Sequence, residues 1–155
     1  MNAITPYRVA RWAHLRHLPI LPSLFYRLGV LAFSTAIEPT AEIGSGTMCA
    51  HVGLGIVIGG AAVIGRDVII GQGCTIGGRG ATTKEGGSRK GMPTIEAGVY
   101  IGPGARLLGP IRVGRMAVVG ANAVVIADVP PLAVVGGVPA RILKFADPDC
   151  VQHLV

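Results

Sequence analysis

Of the four histidines in the chain, His14, His17, His51 and His153, only His51 interrupts a pattern. It lies in "TMCAHVGLGIVIGG", residues 47–60, where a six-residue beat slips by three. An imidazole, with an unperturbed pKa of ~6.5, can take a proton from a hydroxyl near neutral pH and return it, which is general-base chemistry. A second candidate region is "GRGATTKEGGSRKGMP", residues 78–93, a glycine-rich insertion carrying Arg79, Lys84, Arg89 and Lys90. A loop ejected from a regular scaffold is a common place for function. Cys49, Cys74 and Cys150 are odd in number and lack C-x-x-C spacing, which argues against a disulfide framework or a zinc site and fits a reducing compartment. Cys74 falls on a periodic position and reads as a small core residue.

The beat sets the frame that must hold these groups. Ile43, Val52, Ile58, Ile64, Ile70 and Ile76 are each followed by glycine, and from Val52 onward the spacing is six. The rhythm resumes at Ile95, Ile101, Leu107, Val113, Val119 and Val125. Four residues after leading aliphatics stand small or aliphatic residues: Ala62, Val68, Cys74, Ala105, Ala117 and Ala123. A period of six belongs neither to a helix nor to one long strand. It asks for short strands with a turn in every unit and the aliphatic pointing inward. Each unit buries little alone, so stability must come from stacked coils with covered ends. The spacing of Val9, Trp12, Ala13, Leu15 and Leu18, then of "LPSLFYRLGVLAF", predicts two short helices as the cap. We therefore expect a helical arm over 1–36, a solenoid over 37–145 and a tail over 146–155.

Composition agrees. The chain has 155 residues, enough for one domain, with 50% hydrophobic, 14% charged and only 5% aromatic residues and 24 glycines, which suits short strands and tight turns. The net charge of +6 is uneven, because Arg8, Arg11, Arg16 and Arg27 all precede the first acidic residue, Glu38. An anionic membrane surface, an acidic partner and a solvated helix face are all consistent with that arm. No nucleic-acid recognition motif is present, and no aromatic residues are interleaved with the basic ones. The apolar stretch at 18–37 is broken by Pro22 and Arg27, and it suits neither a transmembrane helix nor a signal peptide.

From about residue 24 to residue 145 the sequence resembles the hexapeptide-repeat acyltransferases, and more narrowly the serine acetyltransferase branch. The stretches that carry the resemblance are "IEPTAEIGSG", "HVGLGIVIG", "CTIGGRG" with its following loop, "YIGPGARLLGPIRVG" and "GVPARI". The resemblance implies an all-β solenoid, a left-handed parallel β-helix assembled as a homotrimer, with acetyl-CoA as co-substrate. It makes His51 the catalytic base. It places the donor against Gly78, Pro103, Ala105 and Ala121, with Arg141 and Lys144 as phosphate partners. Hexapeptide proteins also include a zinc hydratase class that gathers several histidines. His51 is the solenoid's only histidine, so no metal is expected.

The branch carries an aspartate where Ala36 stands, another where Ala50 stands and a histidine where Met92 stands. The first orients the catalytic histidine and the others help bind serine, so their absence points to a different acceptor. Arg89 and Lys90, with Met92, are the remaining candidate acceptor contacts. Short members resembling this chain acetylate sugars in polysaccharide synthesis. By that analogy the expected function is O-acetylation of a sugar or polysaccharide precursor in the cytoplasm, with the arm near the inner membrane face. The alternatives are a serine O-acetyltransferase with a rebuilt acceptor site, supported by direct competition from L-serine, and a silent scaffold, marked by failure to bind CoA.

Overall fold

Residues 2–78 and 91–147 are described by the structure, a computed structural model. The predicted helices form, α1 over Ile4–Leu15 and α2 over Leu21–Phe33, with Pro22 in the first turn of α2, where its missing N–H costs nothing. No helix among the described residues is long and apolar enough to cross a membrane.

Beyond α2 the chain winds into coils whose strands, mostly two or three residues long, stack in three parallel sheets. The first sheet stacks Ala36–Ile37, Val57–Ile58, Thr75–Gly77, Arg106–Leu108 and Val124–Val125. The second stacks Glu42–Ile43, Val63–Ile64, Thr94–Ile95 and Arg112–Val113. The third stacks Met48–Cys49, Ile69–Ile70, Tyr100–Ile101, Val118–Val119 and Ala133–Gly137, and ends in the antiparallel Ala140–Phe145. Register follows the beat: Val57 pairs with Thr75, and Arg106 with Val124, both 18 residues on. The first coil is longer, since Ala36 pairs with Val57, 21 residues on. Across the inserted loop Val63 pairs with Thr94, 31 residues on.

The inward residues form one continuous core. Ile58, Ile70, Ile76, Ile101, Leu107 and Val113 are fully buried, and so are Ala62, Val68, Cys74, Ala105, Ala117 and Ala123 at the offset of four. One member of the supposed beat fails. Val52 is exposed, because it belongs to the slip; the inward positions on either side are Cys49 and Ile56. The solenoid also begins one residue earlier than expected, at Ala36.

The cap explains the basic arm. Backbone N–H groups of each coil donate to carbonyls of the next, as Glu42 does to Ala62 and Ala50 to Ile70, so carbonyls of the first coil are left pointing at the arm. Unpaired, they would be costly. Arg8 donates to Ile43 O at 2.8 Å and to Gly44 O at 2.6 Å. Arg11 and the Tyr7 hydroxyl both donate to Ala41 O, at 2.6 and 2.8 Å, and Asn2 Nδ2 donates to Cys49 O at 2.8 Å. Arg16 stacks over the Trp12 ring with its guanidinium carbon 4.5 Å from the centroid. Thus Arg8 and Arg11, which the charge pattern left open to a membrane surface, close the end of the solenoid.

Candidate active site

His51 stands at the corner between the third and first sheets. Its three extra residues form a 3-10 turn, His51–Gly53, in which His51, Val52 and Gly53 all take left-handed backbone angles, with φ of 46°, 58° and 91°. For β-branched Val52 this is a strained conformation, so the surroundings must hold it. Ala3 N donates to Val52 O at 2.9 Å, Thr35 Oγ1 donates to Gly53 O, and Gly53 N donates to Ala50 O at 2.9 Å. A Cβ at Gly53 would lie 2.5 Å from the Ala3 Cβ and 3.3 Å from that of Cys49. The arm therefore clamps the slip, and the His51 side chain stays exposed. Among the described residues the imidazole makes no hydrogen bond.

Below His51 the same corner repeats as a ladder of small residues. Gly73 N donates to Leu54 O at 2.9 Å, Gly104 N to Gln72 O at 2.8 Å and Asn122 N to Pro103 O at 2.8 Å. The coils approach so closely here that a Cβ at Gly71 would lie 2.6 Å from Pro103 N, and one at Gly102 2.6 Å from Ala121 N. Pro103 and Ala121 are thus on the His51 corner. Four coil-to-coil steps of ~4.8 Å carry the ladder roughly 19 Å from the His51 turn to the level of Gly136, which pairs with Arg141. Lys144 pairs with Val134 on the same closing strand, and both cations are exposed. Val138–Pro139, within "GVPAR", is cis.

The remaining expectations fare differently. Ala105 is fully buried, its N–H donates to Gly102 O at 3.2 Å and its C=O accepts from Thr75 N, so it supports the ladder from inside rather than lining it. Gly78 lies at the next corner, between the first and second sheets, beside Gly91. Met92 packs against the core, with its methyl carbon under Gly59 and its sulfur beside Gly78, which makes it a packing residue at the neck of the insertion. Arg89 and Lys90 lie outside the described residues, as does most of the 78–93 loop. Ala36 faces outward on the first sheet, paired with Val57. Glu38 is exposed at the corner opposite His51, above Gly60, and so cannot orient the imidazole within one chain.

Burial drives the Cys49 thiol up to about 11 and raises Cys74 as well; Cys74 Sγ donates to Gly102 O at 3.1 Å. Both are inert at neutral pH, as core residues should be. Among the described residues no group of three His, Cys, Asp or Glu side chains could hold a metal ion. Two groups escaped the sequence reading. Arg106 donates from one guanidinium nitrogen to Gly73 O at 2.9 Å and to Thr75 Oγ1 at 3.0 Å, fixing a cation beside the ladder. Gln72 sits on the ladder itself. Both occupy outward or turn positions, which the beat leaves free.

No protein-family model matches the chain. The serine acetyltransferase of Escherichia coli (strain K12) is 43% identical over 148 residues, 96% of this chain and 52% of that protein. The crystal structure of serine acetyltransferase from Vibrio cholerae O1 biovar El Tor N16961 superposes with a TM-score of 0.86 at 41% identity, over 95% of this chain and 55% of that one. This chain has the left-handed, hexapeptide-repeat β-helix of the serine acetyltransferases. A serine acetyltransferase in complex with CoA superposes with a TM-score of 0.80 at 39% identity, over 91% of this chain and 55% of its own. The chain spans about half the length of the curated serine acetyltransferases it matches. The relatives named here are serine acetyltransferases, and the expectation of a polysaccharide acceptor finds no support in them.

Proposed function

We propose that this chain is an acetyl-CoA-dependent O-acetyltransferase whose acceptor is L-serine. The observation that carries the reading is the conjunction on one corner of an exposed, clamped imidazole and a ladder of small residues below it, in a chain about 40% identical to serine acetyltransferases. The ladder fits an extended pantetheine arm: it is built largely of glycine, proline and alanine and leads from His51 toward Arg141 and Lys144, whose cations suit phosphates. Acetyl-CoA supplies the acyl group as a thioester. His51 takes the proton of the acceptor hydroxyl as attack begins and gives it to the departing sulfur. Oxyanion stabilisation needs an N–H at the carbonyl, and the Gly78 amide is our candidate. Since Gly78 and His51 flank opposite edges of the first sheet, one chain does not bring them together. The reading therefore uses a homotrimer, in which the His51 corner of one copy faces the insertion neck of the next.

Alanine at 36 and 50 supports a second acceptor class, a hydroxyl compound without an ammonium group, because neither position offers a carboxylate to pair with one. The test is release of the CoA thiol from acetyl-CoA with L-serine, N-acetylserine and sugar nucleotides offered separately, against His51→Ala. Serine-dependent release that falls about 10²- to 10⁴-fold in the variant supports the proposal. Release with N-acetylserine alone selects the second acceptor class, and full activity in His51→Ala removes the mechanism.

A further inference from the structure

Gln72 Oε1 is the one buried side-chain oxygen or nitrogen without a hydrogen-bond partner among the described residues. Its carboxamide nitrogen makes no hydrogen bond there either. A buried acceptor left unpaired destabilises the chain that carries it. Such groups are rare in native proteins, and a ligand that completes the bond is one reason to keep one.

The place of this orphan is informative. Gln72 is the first rung beneath the slip, since its neighbour Gly73 donates to Leu54 O, and its own carbonyl accepts from Gly104 N at 2.8 Å. Gly71 and Gly73 flank it, so no adjacent side chain occupies the space on either side. Gln72 thus belongs to a rung on the path from His51 to the closing strand, with both polar ends of its carboxamide uncommitted among the described residues.

We propose that Gln72 recognises an amide of the donor's pantetheine arm. A primary carboxamide can pair with either end of a secondary amide: the ligand N–H donates to Gln72 Oε1, or Gln72 Nε2 donates to the ligand C=O, a half-turn of the carboxamide bringing either end forward. Pantetheine has two amides. Gln72 lies one coil, ~4.8 Å, below the level of the His51 turn, which selects the amide nearer the thioester. The assignment rests on the acetyl-CoA reading above and adds a side-chain contact to a path built largely of backbone and small residues.

The test uses the full chain with Gln72→Met, which keeps size and removes hydrogen bonding, and Gln72→Glu, which keeps the acceptor and loses the donor. CoA affinity is measured by calorimetry. Turnover is measured with acetyl-CoA and with S-acetyl-N-acetylcysteamine, which retains only the thioester-side amide. The expected result for Gln72→Met is a roughly 10-fold rise in CoA Kd and donor KM. Its kcat should stay near that of the wild type, its Tm should not fall, and the truncated donor should show the same factor. Gln72→Glu is expected to fall between the two. Unchanged affinity in Gln72→Met overturns the proposal alone. A loss confined to full-length acetyl-CoA overturns the choice of amide, and a fall in Tm with equal loss of kcat reduces Gln72 to a structural role. Failure of the wild-type chain to bind CoA overturns this proposal and the acetyl-CoA reading together.

Discussion

Gly53→Ala is the most direct probe of how the arm holds the catalytic turn. Its φ of 91° is left-handed, and a Cβ there would meet the Ala3 Cβ at 2.5 Å. Holding an alanine in that backbone region costs about 1–2 kcal/mol, and overpacking against Ala3 and Cys49 adds about 1–3 kcal/mol. The smaller entropy of the unfolded alanine chain returns about 0.5–1 kcal/mol. The net expectation is a destabilisation of about 1–4 kcal/mol, read from urea unfolding at fixed protein concentration. Because the clash is with one methyl, Ala3→Gly should relieve it: the double variant should recover about 1–2 kcal/mol relative to the sum of the singles, while the left-handed strain persists. The turn carries His51, so kcat should fall at least about tenfold with donor KM little changed, the ladder below being intact. A Gly53→Ala chain as stable as wild type, or strict additivity with Ala3→Gly, would refute the clamp.

Two further outcomes follow from groups already described. The Cys49 thiol, held up at about 11 by burial, binds its proton more tightly folded than unfolded, where the value is near 9. Its contribution to stability is full below pH 9 and is lost as pH rises through 11, by roughly 2–3 kcal/mol. Alkaline unfolding curves for wild type and Cys49→Val should diverge across that window, and parallel curves would contradict the burial. Arg8→Met removes two charge-assisted bonds to Ile43 O and Gly44 O. Discounted for its exposed guanidinium, a loss of about 1–2 kcal/mol in unfolding free energy is expected, and an unchanged midpoint would show that water replaces the arginine fully.

The solenoid was legible because inward positions admit only a few residue types. The burial of Ile58, Ile64, Ile70 and Ile76, and of Ala62, Cys74, Ala105 and Ala123 between turns, follows from spacing alone. Val52 was misread because an aliphatic before a glycine looks the same in a bulge as in a coil, and only pairing Ala36 with Val57 reveals the difference. The Arg8 and Arg11 contacts join residues some 30 apart and depend on which carbonyls the first coil leaves unused, which no local pattern records. Which corner each candidate occupies was also hidden. Periodicity separates inside from outside, but Gly78 and Pro103 fall at different corners only once coils are counted. His51 and Gly78 accordingly stand at different corners of one chain.

The direction of the backbone bonds has a consequence at larger scale. A parallel β-helix is one repeat away from a fibre, since the last open edge of one molecule matches the first edge of another. Among the described residues that match is blocked over the first coil and at the end of the third sheet. At one end the carbonyls of Ala41, Ile43 and Cys49 are already spoken for by α1 and its preceding residues. At the other, in the third sheet, Ala140–Phe145 runs antiparallel to its neighbour and reverses the polarity a new coil would need. Among the described residues the arm and the closing strand act as chain terminators, one across the first coil and the other at the third sheet.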